Sequence, residues 1–391
     1  MDWCSRFSNE NRRVFYHIQE FVDKSLLLCP TLECKNLSQQ LDPTHRPGLR
    51  RSSMNKNASN KIPRAILLGT ILSALLLAFS ETGYASKPTA INSCTEITTS
   101  GSYRLVADLT SEAVCITIHA SNVDLRLDGH TITGSGAGSL WGILVAAQTN
   151  VRIKGPGVIT NFAFGVILDG ADSSEVTDVI ATNNFHGFAV LRDHLTPGVN
   201  NSSEENLFRR NTATGNVNRG FFLEGAINNS FLNNVASNNE EGFYVGPGTT
   251  GNHFKGNTIN ENSVWGLRVI GASTGETSTA HTIEDNTANG NGIAGIQLAQ
   301  GSSGNSVNGN TTLDNFIGIS LAGSSGNNVN GNTALSNSFG ISIIQDSSGN
   351  NVNGNTALNN TVNDLADGSI ACDNNIWTNN VFNTANQTCI Q

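Results

Sequence analysis

The feature that most constrains this chain is a phrase repeated nearly word for word. Gly304-Asn-Ser-Val-Asn-Gly-Asn-Thr returns as Gly326-Asn-Asn-Val-Asn-Gly-Asn-Thr and as Gly349-Asn-Asn-Val-Asn-Gly-Asn-Thr, at spacings of 22 and 23 residues. With the apolar residue of the phrase as anchor, weaker copies extend upstream to Ile283, Phe254, Phe231, Phe208, Val176, Val151 and Val123, and downstream to Ile376. Most units read as an apolar anchor, an Asn three residues on, a second Asn eight residues after the anchor, then Gly and alternating apolar residues. Gly318-Ile-Ser-Leu and Gly340-Ile-Ser-Ile show the period of two expected of a strand.

A unit this short, built of brief strands and sharp turns, cannot bury its apolar face alone, so copies must stack on one another. The reading is all-β: a right-handed parallel β-helix of about eleven coils, on the order of 50 Å long at the usual strand spacing. Asn and Gly supply left-handed corners between strands. The Leu-x-x-Leu-x-Leu signature of leucine-rich repeats is absent, as is the calcium-binding Gly-Gly-x-Gly-x-Asp nonapeptide. Two Asn columns follow from the register. One is Asn211, Asn234, Asn257, Asn286, Asn310, Asn332, Asn355 and Asn379; the other is Asn184, Asn216, Asn239, Asn262, Asn291, Asn315, Asn337 and Asn360. Stacked amides can hydrogen-bond along a column, so these residues are expected to be structural.

The front of the chain is of different composition. Met54 is followed by basic Lys56, Lys61 and Arg64, an apolar run from Ala65 to Phe79, and the small-residue site Gly83-Tyr84-Ala85, which is the grammar of an export signal. Residues 1–53 then read as an upstream extension, 54–85 as the signal, 86–122 as an N-terminal cap, 123–365 as the repeats and 366–391 as a closing cap. Residues 1–85 hold 11 of the 22 Lys+Arg and 7 of the 31 Asp+Glu, so 11 basic and 24 acidic residues remain, a net charge of −13. That balance excludes nucleic-acid binding. Four cysteines remain as two local pairs, Cys94 with Cys115 and Cys372 with Cys389, and an even count in an exported chain favours disulfides.

The opening coil, Ala120-Ser-Asn-Val-Asp-Leu-Arg-Leu-Asp-Gly-His-Thr-Ile132, resembles the first coil of NosD-like periplasmic proteins. The mature chain as a whole resembles the right-handed parallel β-helix, pectin-lyase-like class. The resemblance implies a secreted or periplasmic protein. The class includes lyases, epimerases, phage tailspikes and a maturation factor, so fold does not name the activity.

The middle coils carry the unusual side chains. The residue before each strand Gly is His186, Arg219, Glu241 and Trp265 on four successive coils, and the second residue after it is Ala189, Phe222, Tyr244 and Arg268. Strand alternation turns both columns outward. Aromatic faces suit sugar rings, and charged groups suit hydroxyls or carboxylates. His186, Phe222, Glu241, Tyr244, Trp265 and Arg268 are therefore the candidate polysaccharide-binding residues. A protein partner in an envelope docking role is the alternative.

The excursion from Leu191 to Glu205 could wall such a surface. Its Arg192, Asp193 and His194, with Arg219, are the candidate catalytic residues of a lyase or epimerase, which needs a base and a cation for the enolate. Arg209 and Arg210 are additional cations, and Asp169, Asp172 and Asp178 are candidate calcium ligands. Asp193-His194 lacks the Asp-Pro-His signature of alginate epimerases, and Glu224 with Glu240 or Glu241 is an undistinguished candidate for the carboxylate pair of a glycoside hydrolase. Copper is disfavoured by the residues themselves, since the mature chain has no Met, paired Cys, and scattered His119, His130, His186, His194, His253 and His281.

Overall fold

The computed structural model describes residues 87–136, 139–195, 201–271 and 276–391. The export signal, the extension ahead of it with Cys4, Cys29 and Cys34, and positions 196–200 of the excursion lie outside these residues. The described chain is a parallel β-helix. A wide sheet takes one strand from each coil, from Thr95–Ile97 to Asn363–Asp367, and has 12 strands, hence twelve coils against the eleven expected. The segment expected as an N-terminal cap already contributes strands, because Thr95–Ile97 pairs with Val114–Ile118 and Thr89–Ile91 with Gly101–Leu105. The remaining strands, mostly three residues long, form the back of each coil, and every pairing is parallel.

The anchor column runs Val176, Phe208, Phe231, Phe254, Ile283, Val307, Val329, Val352 in register. At its ends the expected register slips. Val176 pairs with Ile153, and Ile153 with Leu125, so Val151 and Val123 sit two residues early, although both are buried. Val352 pairs with Trp377, which is 3% exposed, whereas Ile376 is 57% exposed. Core volume also changes along the rod. Phe188, Phe221 and Phe243 stack with centroids 4.9 and 4.4 Å apart, beside a second stack of Phe208, Phe231 and Phe254 at 5.0 and 5.1 Å. Later coils fill the same interior with Val and Ile.

Corners explain the Asn columns. Asn233, Asp285, Gly309, Gly331 and Gly354 all have φ between +54° and +65°, and the residue after each belongs to the first column. That residue's side-chain oxygen accepts from the previous coil twice. Asn332 Oδ1 takes the Asn310 backbone N–H at 2.9 Å and the Asn310 Nδ2–H at 2.9 Å, while Asn310 Nδ2 also donates to the Ile283 carbonyl. The second column does the same and ends on Asp364, whose Oδ1 accepts from Asn360. Asn379 itself takes the left-handed corner with φ +54°, so the first column closes on Asn380, not on Asn379.

A third column was not anticipated: Asn206, Asn229, Asn252, then His281, Asn305, Asn327, Asn350 and Asn375, ending on Asp367. His281 stands in for Asn by accepting the Asn252 N–H at Nδ1. Its Nε2 therefore carries the proton and faces the Ser278 and Thr249 hydroxyls at 3.0 and 3.3 Å.

The strand glycines have a different cause. A Cβ at Gly242 would lie 2.6 Å from the Gly266 carbonyl oxygen and 2.9 Å from Asn262 Nδ2, so close approach to the next coil and its amide leaves room for hydrogen only. Disulfides join Cys94 to Cys115 and Cys372 to Cys389 as expected, one near each end of the rod.

Asn310→Ala strands the buried Asn286 N–H and removes four further hydrogen bonds of the amide. It should cost about 3 kcal/mol, seen as a lower melting temperature by circular dichroism; an unchanged midpoint would count against the ladder. Burial pushes the His281 pKa down to about 4. Its folded value lies below the unfolded one, so the stability it supports is complete above about pH 6.5 and falls as pH drops toward 4, by about 3 kcal/mol in all. His281→Asn, which restores the ladder residue, should flatten stability across that window in denaturant titrations.

Candidate functional site

On the wide sheet, side chains that enter the core alternate with side chains that leave it. Phe188, Phe221, Phe243 and Leu267 join the interior, while the two columns expected to face outward do so in register. His186 pairs with Arg219, Arg219 with Glu241, and Glu241 with Trp265; Ala189 pairs with Phe222, Phe222 with Tyr244, and Tyr244 with Arg268. Five coils of this face make one continuous stack of planar groups. His186 sits between Phe164 and Phe222 with centroids 4.9 and 5.0 Å away, and Phe185 closes its edge at 4.6 Å. The Arg219 guanidinium is sandwiched, 4.4 Å from the Phe222 centroid and 3.7 Å from that of Tyr244. Arg268 lies 3.8 Å over Trp265, with Nη1 3.7 Å from Glu241 Oε1. Cation–π contacts of this kind strengthen as water is removed.

The stack is recessed. Glu241 is 5% exposed as a residue, and the Arg268 side chain 16%. Burial raises the pKa of Glu241 against the opposing pull of Arg219 and Arg268, lowers that of both arginines, and raises the Tyr244 phenol. Burial, with the Arg219 charge adding, holds His186 well below the usual histidine range, so it is neutral. Polar atoms here are left without partners: His186 Nδ1, Arg219 Nε, Glu241 Oε2, Trp265 Nε1, Arg268 Nε and Gln297 Oε1 are all buried and hydrogen-bond to nothing among the described residues. Seventeen such atoms occur among the described residues, and six of them fall on five adjacent coils of this face.

The excursion borders this face. Arg192 lies over Gly225 and Gly248, where a Cβ would come within 2.7 Å of its guanidinium, and it makes a two-pronged ion pair with Glu276 at 2.9 and 2.5 Å. His194 Nδ1 is 3.3 Å from Asp169 Oδ1, and that hydrogen bond raises its pKa. Asp193 is buried and accepts the Leu195 N–H. Glu224 acts electrostatically on Arg192, His194 and Arg219 alike, linking the excursion to the stack.

Other expectations do not converge. Arg209 and Arg210 belong to the back of the coil, where they pair with Glu175 and Asp178 at 3.2 and 2.6 Å, so they are not part of this face. Asp169, Asp172 and Asp178 do not form a calcium site: Asp169 holds His194, Asp172 accepts the Glu204 N–H, and Asp178 is committed to Arg210. Among the described residues no group of three or more His, Cys, Asp or Glu could hold a metal ion. Gln297 continues the second outward column as the register implied, whereas sequence reading missed Phe164, which extends the first, Phe185, which packs on its edge, and Glu276, which lies 84 residues from its partner. A cleft of about 350 Å³ at the first coil, lined by residues 89–93 and 95–99 and by Tyr103, includes none of the candidate residues.

A parallel β-helix with a recessed, partly unsatisfied outer face is the class of protein this architecture defines. The family described as periplasmic copper-binding protein (NosD) matches residues 97–279 and 274–390, and the chain belongs to it. No curated protein matches the chain. Among solved structures it is similar to the A-module of a mannuronan C-5 epimerase from Azotobacter vinelandii, at 17% identity over 78% of this chain and 92% of that one, with a TM-score of 0.55. It is also similar to a periplasmic alginate epimerase, at 14% identity over 73% of each chain and a TM-score of 0.52. At that distance the likeness is one of fold.

Among the described residues the donor set does not fit the copper of the family's description. The two methionines of the chain, Met1 and Met54, precede the described residues, and Cys94, Cys115, Cys372 and Cys389 are oxidised. His186 and His281 are buried in the stack and the ladder, and His130, His194 and His253 each face a carboxylate.

Because the Arg192–Glu276 pair is partly exposed, Glu276→Gln should change global stability by under about 1 kcal/mol while freeing Arg192. Amide hydrogen exchange at residues 191–195 should then quicken; unchanged exchange would show that the pair does not hold the excursion.

Proposed function

We propose that this chain is an exported β-helix protein that binds a polysaccharide along the outer face of its central coils. The observation that carries the reading is the set of buried, unpartnered polar atoms interleaved with aromatic rings on adjacent coils. A glycan presents hydroxyl and carboxylate oxygens at short intervals along an extended chain. Such groups would accept from the guanidinium Nη donors of Arg219 and Arg268, which hydrogen-bond to nothing among the described residues and lie over the rings, and ring edges of Tyr244 and Trp265 would pack against pyranose carbons. Disulfides and membership of a periplasmic family support export.

On the same reading, the excursion is where modification would take place. His194, oriented by Asp169, is the group that could take a proton alpha to a carboxylate once deprotonated, and Arg192 and Arg219 are the cations that could stabilise the resulting enolate. Asp193 would fix the turn that carries them.

The test is a panel of uronans and neutral glycans, with and without calcium, offered to the purified exported chain, with binding read by calorimetry and unsaturated product by ultraviolet absorbance. Tyr244→Ala with Trp265→Ala should weaken binding at least 10-fold. Unchanged affinity for every bound glycan would remove the proposed face, and retained glycan binding with no ultraviolet product would leave a binding protein without lyase chemistry.

A further inference from the structure

We infer that the ligand of this face is anionic, a polysaccharide whose repeating unit bears an acidic group, and that Arg219 is its anchor. The inference rests on the glycan reading above and adds the substrate class. Six other basic side chains of the rod, Arg126, Lys154, Arg192, Arg209, Arg210 and Lys255, have a carboxylate within 4.0 Å. Among the described residues Lys87, Arg104, Arg152 and Arg219 do not, and of these four Arg219 is the one held between aromatic faces on the central coils. Its neighbours are the faces of Phe222 and Tyr244, its Nε is buried and bonded to nothing, and no side-chain or backbone oxygen of the described residues accepts from it. Arg268 is nearly as bare, with Glu241 at 3.7 Å and no hydrogen bond.

A guanidinium keeps its charge even when burial is unfavourable, so two cations stand on this face over aromatic rings with their donors unused. The planar fork of donors matches the two oxygens of a carboxylate, and such pairs are stronger in a water-poor setting than at an open surface. Sugar hydroxyls would satisfy the donors but leave the charges unbalanced. The rod as a whole is acidic, so capture cannot come from its general field; it has to come from these local donors.

Glu241 is the counterweight. It sits between the two arginines in register, its Oε2 meets no donor, and burial favours its neutral form. An incoming acidic group competes with the Glu241 carboxylate for the same cations. Protonating Glu241 removes that competition, so affinity for an acidic glycan should rise as pH falls from 7.5 toward the titration of Glu241, while the ligand's own acid groups, near pH 3.5, stay ionised.

The experiment uses the exported chain with two matched polymer pairs: polygalacturonate against its methyl ester, and dextran sulfate against dextran, at pH 7.5, 6.0 and 4.5. The expected result is binding of an acidic member and at least 10-fold weaker binding of its neutral counterpart. Arg219→Gln should lose at least 10-fold, Arg219→Lys should lose less, and Glu241→Gln should bind severalfold tighter with a flattened pH response. Melting curves confirm that each variant is folded. Which pair discriminates tells carboxylate from sulfate. If neutral members bind as well as acidic ones and Arg219→Gln is without effect, the anionic class is overturned while the glycan reading stands. If no member of either pair binds at any pH, both fall.

Discussion

The structure depends on one repeated contact, a buried amide that bridges each coil to the next. Three times per turn the backbone enters the left-handed region at a corner, and the following residue turns its side chain inward. A corner of that kind leaves backbone N–H groups pointing along the rod axis rather than across a strand, where no neighbouring strand can accept them. The Asn oxygen supplies the acceptor, and its NH₂ continues the chain of bonds to the coil beyond. The cross-section can therefore bend sharply without orphaning backbone groups, and the short strands between corners can stay straight and parallel. Where the ladders run out, Asp364 and Asp367 accept the last donors, and Asp367 also takes the Trp377 indole.

With the corners secured, each strand of the wide sheet can serve two surfaces at once. Between His186 and Leu223 the inward positions hold stacked phenylalanines, and the outward positions hold the histidine, arginine and aromatic stack. Spacing on the outside is inherited from the inside, because both columns advance by the same strand separation. A planar group on one coil thus meets a planar group on the next at stacking distance with no further design. That is why a guanidinium can lie between two rings contributed by neighbouring coils.

These relations were legible in the sequence to different depths. The outward columns could be read because strand alternation depends only on the position of the strand Gly, and that residue is held in place by the close approach of the next coil. The ends of the anchor column could not. Nothing local distinguishes Ile376 from Trp377 as the inward residue, and only the left-handed corner at Asn379 sets the frame. The third ladder had a signal, since Gly304-Asn305, Gly326-Asn327 and Gly349-Asn350 open each verbatim phrase, but His281 at the central coil broke the pattern. Pairs that depend on loop geometry left none. Arg192 and Glu276 meet across three coils, and the aspartates expected to share a calcium ion point to three different partners because they lie on different edges of the cross-section.

The rule broken on the outer face bears on its role. Along the corner ladders the chain satisfies its buried polar groups closely, with amides donating and accepting down each column. On the central coils it places a carboxylate and two guanidiniums in a desolvated setting and leaves their hydrogen bonds unmade. Such groups destabilise the folded state by an amount that surrounding structure has to offset. The coils that carry them are also those with the largest aromatic core, where six phenylalanines are fully buried. A scaffold stiffened most where its surface is least satisfied is what pre-organisation requires. Donors held in place before the ligand arrives lose little entropy when it binds, and the local violation becomes useful only when a partner's oxygens complete it.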